Sequence, residues 1–281
     1  MNYKNNDELV LYVSDLDGTL LKKDETVSEY TCKVINELVN SGVKFSYATA
    51  RSSCTSTKVT AGLDSHFPII VYNGAFVIDN VTGEHLLENY FEHSEALEIL
   101  EKVYEAGIVP IVYSIQDGLE KYSYEADKVN EYTQSFINTR DDDRRTPVAN
   151  VEQLKNGNIF HYSCIDDHDK LWPVYEHYKD TYHCVCQQDI YSGDWWLEIA
   201  PAKATKAEAV LMLKELLGCE KVVVFGDGCN DMSMFEVADE SYAVSNAVEQ
   251  LKAMATGEIA SNNDDGVAKW LSNNAVKDMS I

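Results

Sequence analysis

Short apolar runs alternate with helical patterns along most of the chain. The runs over 9–13 and 221–225 predict strands that are buried on both faces of a sheet. The sequence Thr26-Val-Ser-Glu29 is a capping box that predicts the start of a helix, and Gly42 predicts its end. Strands that alternate with helices are typical of parallel βαβ units. We therefore predict an α/β fold with a doubly wound, Rossmann-like parallel sheet.

The pattern changes between residues 86 and 188. This stretch predicts a β-α-β-β-α order of its own, with hairpin signals such as Asp117-Gly118. We expect it to be an inserted α/β cap domain with a separate sheet. The catalytic core then consists of two halves, residues 1–85 and 189–281.

Composition and charge narrow the possible functions. The 281 residues include 47 acidic and 23 basic side chains, which gives a net charge of −24. This excess argues against nucleic acid or an anionic membrane as a partner, because phosphate backbones are bound by basic surfaces. We find neither an apolar run of membrane-spanning length nor a secretory leader. The expected location is the cytoplasm, where the seven cysteines would be free thiols.

Acidic side chains follow two of the predicted core strands. Asp15 and Asp17 come after the first strand, and Asp227 and Asp231 come after the strand over 221–225. Each pair alone is equally consistent with turn or helix-capping aspartates. Four carboxylates at one edge of a sheet, however, repel one another unless a cation joins them. An all-oxygen set of ligands favours Mg²⁺, which usually bridges to a phosphate.

Other residues at the same edge favour a bound phosphate. Thr49 offers a hydroxyl group after the second strand, and the main-chain N–H groups near Asn73 and Gly74 can bind an anion. Lys206 begins a strong helix, where a cation opposes the helix dipole unless it neutralises a bound anion. Lys203 lies close by and is an equivalent candidate on these grounds.

The order of these motifs resembles a known signature. D-L-D-G-T-L from Asp15, T-A-R from Thr49, a lysine and G-D-G-C-N-D from Gly226 are similar to the four motifs of the haloacid dehalogenase-like hydrolase superfamily. The large insertion, the N-G-A at Asn73 and the stretch A-P-A-K-A-T-K resemble its Cof-type phosphatases, which have a large α/β cap.

The resemblance implies a role for each matching residue. It implies that Asp15 is the nucleophile and Asp17 the general acid and base. Mg²⁺ would be bound by Asp15, the main-chain carbonyl of Asp17 and Asp227, with support from Asp231. Thr49 and Lys206 would bind the phosphate, and Asn230 would contact the substrate. Lys206 is preferred to Lys203 because the preceding E-I-A-P then aligns with the family.

The function implied is Mg²⁺-dependent hydrolysis of a small phosphorylated metabolite through an aspartyl-phosphate. The resemblance favours sugar phosphates, with pyridoxal phosphate and nucleotide or flavin phosphates as alternatives, and specificity would come from the cap. A phosphomutase would use the same core. A binding protein without activity is disfavoured, because the expected aspartates and lysine are all present. The sequence makes no prediction of the oligomeric state.

Overall fold

The chain forms two compact units. The computed structural model describes residues 9–64, 66–140, 142–188 and 192–275. The core unit contains the described residues of 1–88 and 204–281, and the inserted unit contains those of 89–203. Within the described ranges, no helix has the length and apolar character needed to cross a bilayer. All seven cysteines lie in these ranges and are free thiols.

The core unit contains eight strands and six helices among its described residues, numbered here along the whole chain. The strands are β1 (Val10–Ser14), β2 (Lys44–Tyr47), β3 (Pro68–Val71), β4 (Phe76–Asp79), β5 (His85–Glu88), β12 (Lys221–Gly226), β13 (Glu240–Val244) and β14 (Gly257–Ile259). The helices are α1 (Glu29–Asn40), α2 (Ser53–Val59), α6 (Lys206–Leu216), α7 (Met232–Val237), α8 (Glu249–Met254) and α9 (Gly266–Asn274).

The main sheet of the core is parallel and has the order β14-β13-β12-β1-β2. Strand β1 lies between β12 and β2 and is almost wholly buried, as its apolar run predicts. Ser14 at the end of β1 is in register with Phe225 on β12 and with Tyr47 on β2. The loops that follow these three strands therefore begin side by side. The predicted doubly wound α/β fold is confirmed.

Strand β3 is not a member of the main parallel sheet. Strand β3 is connected to the parallel sheet by an isolated bridge between Ala48 and Ile70, and it pairs in antiparallel fashion with β4. Strands β3, β4 and β5 form a small separate sheet. The turn over 80–83 joins β4 to β5, so the chain reverses here instead of crossing through a helix.

The start of α1 lies later than the capping box predicts. Thr26 donates its side-chain hydrogen bond to Asp24, whereas the Ser28 hydroxyl accepts a hydrogen bond from the N–H of Thr31. Ser28 is therefore the N-cap, and the helix begins at Glu29. The predicted end is confirmed, since α1 stops at Asn40 and Gly42 adopts a φ of +99°.

The inserted unit contains six strands and three helices among its described residues. The strands are β6 (Ile111–Gln116), β7 (Leu119–Glu125), β8 (Arg145–Val148), β9 (Asn158–Ile165), β10 (His183–Gln188) and β11 (Trp195–Ala200). The helices are α3 (His93–Glu105), α4 (Glu131–Asn138) and α5 (His168–Tyr178). The strands form one sheet of order β10-β11-β9-β6-β7-β8, separate from both sheets of the core.

The inserted unit extends further along the chain than the predicted range of 86–188. Strand β11 pairs with both β9 and β10, although its sequence position suggested a core strand. Leu197 and Ile199 on β11 are fully buried in one cluster with apolar residues of α3 and α5, such as Leu100 and Leu171. This packing holds β11 in the inserted sheet, so the second boundary falls at 203 rather than at 188.

Candidate active site

Three carboxylates meet at the ends of β1 and β12. Carboxylate oxygens of Asp15, Asp227 and Asp231 all lie within 4.8 Å of one another. The backbone at Gly18 lies very close to the Asp227 carboxylate, because a Cβ atom at position 18 would be 2.3 Å from Asp227 Oδ2. Gly18 also has a φ of +78°, which favours glycine. The turn after Asp15 therefore depends on a glycine at position 18.

Lys206 is buried against this acidic cluster. Its Nζ atom lies 2.5 Å from Asp15 Oδ1 and 2.7 Å from Asp231 Oδ1, and the residue is 1% exposed. The preceding Thr205 is the N-cap of α6. Gly74 packs against this cap so closely that a Cβ atom there would lie 2.1 Å from the Thr205 carbonyl oxygen. Lys203, the alternative candidate, is exposed.

The charges in the cluster do not balance, since three carboxylates face one ammonium group. Burial, opposed by Lys206 and reinforced by Asp231 and Asp227, raises the pKa of Asp15 well above its usual range. Burial and the neighbouring Asp231 raise the pKa of Asp227 to about 6. Asp15 and Asp231 raise the pKa of Lys206, although burial alone would lower it. All three shifts indicate that the site favours additional positive charge.

The donor set fits a hard divalent cation, because every ligand atom of the cluster is a carboxylate oxygen. Asp231 is nevertheless the least suited to bind it directly. Its Oδ1 atom accepts from Lys206, and its Oδ2 atom accepts from the N–H groups of Asp227 (2.9 Å) and Gly228 (3.0 Å). Asp231 thus orders the loop and the lysine, while Asp15 and Asp227 are better suited than Asp231 to hold a cation.

Asp17 directs its carboxylate to a different partner. Arg51 donates to it through two nitrogens, Nε to Oδ2 at 2.8 Å and Nη2 to Oδ1 at 2.6 Å. The same guanidinium also donates to Glu25 at 3.0 Å. The side chain of Asp17 is 49% exposed and is not part of the acidic cluster. Metal binding by its main-chain carbonyl therefore stays a prediction.

The remaining predicted residues lie on neighbouring loops. Thr49 is buried, and its hydroxyl accepts a hydrogen bond from the N–H of Arg51 at 3.1 Å. The N–H of Asn73 donates to the Thr49 carbonyl at 2.8 Å. Asn230 is exposed, and its Nδ2 atom lies 3.4 Å from Asn73 Oδ1. Asn73 thus connects the loop of Thr49 with the loop of Asn230.

Sequence reasoning assigned no role to Arg51, Glu25 or Thr19. The Thr19 hydroxyl donates to Asp227 Oδ1 at 3.0 Å and so connects the two acidic loops. Arg51 stands in the T-A-R motif at a strand end, which was a usable signal. Glu25 gave none, because its contact with Arg51 depends on how the chain folds back after β1.

Known proteins are similar to this chain over nearly its whole length. Residues 12–271 match the family described as haloacid dehalogenase-like hydrolase. A Bacillus subtilis 5-amino-6-(5-phospho-D-ribitylamino)uracil phosphatase is 31% identical over 278 residues, which cover 92% of this chain and 95% of that protein. An Escherichia coli pyridoxal phosphate phosphatase is 26% identical over 263 residues, covering 92% and 95%. A solved Thermotoga maritima structure superposes with a TM-score of 0.77 at 27% identity, covering 95% and 97%.

Proposed function

This chain belongs to the haloacid dehalogenase-like hydrolases, and we propose that it is a Mg²⁺-dependent phosphatase of small metabolites that uses Asp15 as its nucleophile. One observation supports this most strongly. A buried carboxylate, Asp15, contacts the buried ammonium group of Lys206 and lies within 4.8 Å of two further carboxylates. Such an arrangement can bind a cation and a dianion together, although the protein as a whole has a net charge of −24.

The metal would be held by carboxylate oxygens of Asp15 and Asp227 and by the main-chain carbonyl of Asp17. When bound, Mg²⁺ supplies positive charge that offsets the repulsion between a phosphate dianion and a carboxylate. Lys206 adds a second positive charge beside the nucleophile. Asp231 holds Lys206 and the Asp227 loop in place.

The reaction proceeds in two displacements at phosphorus. An oxygen of Asp15 attacks the phosphorus atom, and the bond from phosphorus to the leaving oxygen breaks. Asp17 gives its proton to that oxygen, so that the alcohol leaves neutral. Water then attacks the phosphorus of the aspartyl-phosphate, Asp17 takes the proton from the water, and phosphate and the Asp15 carboxylate are regenerated.

Arg51 is proposed to orient Asp17 for both proton transfers. Its guanidinium binds both oxygens of Asp17 in a fork, and a fork fixes the plane of a carboxylate. Glu25 shares the same guanidinium, so Arg51 keeps an anionic partner when Asp17 carries a proton.

The proposed substrates are phosphate esters of sugars or other polyhydroxylated chains. The Bacillus subtilis relative is named for a phosphorylated ribityl compound, which supports this class and also the flavin-type alternative. The Escherichia coli relative supports pyridoxal phosphate as a second candidate. We further propose that the inserted unit selects among these substrates. The free cysteines agree with our proposal of a cytoplasmic location.

A phosphate-release assay over a metabolite panel tests this function. The panel contains hexose and pentose phosphates, a phosphorylated ribitylamino pyrimidine, flavin mononucleotide and pyridoxal phosphate, each with Mg²⁺ or with excess chelator. We expect release that depends on Mg²⁺ and is abolished in Asp15→Asn. An isomerised sugar phosphate without free phosphate would instead identify a phosphomutase. Full activity in chelator would contradict the metal requirement.

A further inference from the structure

Two asparagines from the C-terminal part of the core contact the loop that follows Asp15. Asn246 lies just after β13, and Asn262 begins a short turn before α9. The Nδ2 atom of Asn246 donates to the Gly18 carbonyl at 2.8 Å, and its Oδ1 atom accepts from the N–H of Asn262 at 3.1 Å. Asn262 in turn donates from Nδ2 to the Leu21 carbonyl at 2.8 Å. The two side chains therefore hold two carbonyls of one loop.

The Gly18 carbonyl belongs to the Gly18–Thr19 peptide, and both residues of this peptide contact Asp227 of the acidic cluster. Gly18 lies so close to Asp227 that no side chain fits there. Thr19, the other half of the same peptide, donates its hydroxyl hydrogen bond to Asp227 Oδ1. A rotation of this peptide would therefore alter the position of Asp227 and the direction of the neighbouring Asp17 carbonyl.

The two asparagines differ in burial. Asn262 is 5% exposed, so its hydrogen bonds are part of the packed interior. Asn246 is exposed, although both ends of its amide are engaged. An exposed side chain contributes little to packing, so the hydrogen bond to Gly18 is its main structural contribution to the loop.

We propose that Asn246 is a positioning residue of the metal centre, which raises the affinity for Mg²⁺ without contacting the ion. It does so by fixing the Gly18–Thr19 peptide against Asp227, while Asn262 orients its amide. The inference rests on the proposed function, because it presumes that Asp15 and Asp227 bind Mg²⁺. Mutation of a residue that orients metal ligands through hydrogen bonds typically changes the affinity for the metal by about 10–100-fold.

The test measures Mg²⁺ binding directly, by calorimetry and by the rise of the melting temperature with added Mg²⁺. Asn246→Ala removes both hydrogen bonds. Asn246→Asp keeps the acceptor for Asn262 but loses the donor to Gly18. The matched control is Asn263→Ala. Asn263 is an exposed amide in the turn that Asn262 begins, and it accepts a hydrogen bond from the N–H of Lys23, away from the acidic cluster.

We expect both Asn246 variants to bind Mg²⁺ about tenfold more weakly, with unchanged melting in chelator and a matching rise in the Mg²⁺ needed for phosphate release. The aspartate variant should do so in spite of its added negative charge. Asn263→Ala should bind as the wild type does. Wild-type affinity in Asn246→Ala, or equal losses in Asn246→Ala and Asn263→Ala, would overturn the inference alone. A wild type that binds no Mg²⁺ would overturn the proposed function as well.

Discussion

Asp227→Asn should stabilise the metal-free protein while it abolishes metal binding. The substitution keeps the size of the side chain and an oxygen that accepts from Thr19. It removes one of three negative charges that face a single ammonium group. The pKa of Asp227 rises from an ordinary 3.8 to about 6, chiefly through burial and through Asp231. In the wild type, the ionised form of Asp227 is therefore unfavourable in the folded state.

The size and pH range of the effect follow from that shift. Two pKa units correspond to about 3 kcal/mol, and partial solvent exposure reduces this to about 1–2 kcal/mol. A carboxyl group with a raised pKa favours the folded state below its unfolded pKa, and this contribution is lost as the pH rises through about 6. The metal-free Asp227→Asn variant should therefore be as stable as the wild type near pH 4 and more stable than the wild type above pH 7.

Urea unfolding between pH 4 and 8, in chelator and in Mg²⁺, measures this difference. Mg²⁺ at a hundred times its dissociation constant should stabilise the wild type by about 2.7 kcal/mol and the variant far less, which reverses their order. Asp239→Asn is the control, because the Val222 N–H and Lys214 lower the pKa of Asp239 in spite of its burial. That variant should be less stable in either condition. Equal stabilisation of wild type and Asp227→Asn by Mg²⁺ would refute the reasoning.

Three further substitutions have defined outcomes. Lys206→Met should reduce kcat for phosphate release by about 10²–10³-fold, because it removes the positive charge beside Asp15. Arg51→Met should slow the hydrolysis of an alkyl phosphate by about 10²-fold more than the hydrolysis of an activated aryl phosphate. Only the alkyl leaving group needs protonation by a well-placed Asp17. Equal losses of rate with the two substrates would exclude a role of Arg51 through Asp17. Gly74→Ala should lower the unfolding free energy more than Gly42→Ala, because both have φ near +100° but only position 74 would clash, with Thr205.

Local signals predicted most of the core. The apolar runs located β1 and β12, and the parallel sheet then explains why Asp15, Asp227 and Asp231 meet. Hydrophobic periodicity could not distinguish Lys206 from Lys203, because Lys206 begins α6 and Lys203 lies only three residues before it. The choice depends on the contacts of Lys206 with Asp15 and Asp231, which are far from it in sequence.

Long-range packing accounts for what the pattern did not predict. Strand β11 follows the predicted cap and has the sequence of a buried strand, which suits either unit. Its pairing with β9 and β10, and the burial of Leu197 and Ile199 in one cluster with residues of α3 and α5, place it in the inserted sheet. The pairing of Arg51 with Asp17 and Glu25 likewise joins the segment after β2 to the segment between β1 and α1. No spacing rule connects such positions.

The central proposal is that Asp15 carries the phosphoryl group, and one mass measurement tests it most directly. Asp17→Asn keeps the main-chain carbonyl but cannot take the proton of the attacking water. With Mg²⁺ and an activated aryl phosphate, this variant should accumulate a phosphoryl group on the peptide that contains Asp15. Asp15→Asn should show no such gain and no turnover. A phosphoryl group on another residue, or normal turnover in Asp15→Asn, would contradict the account.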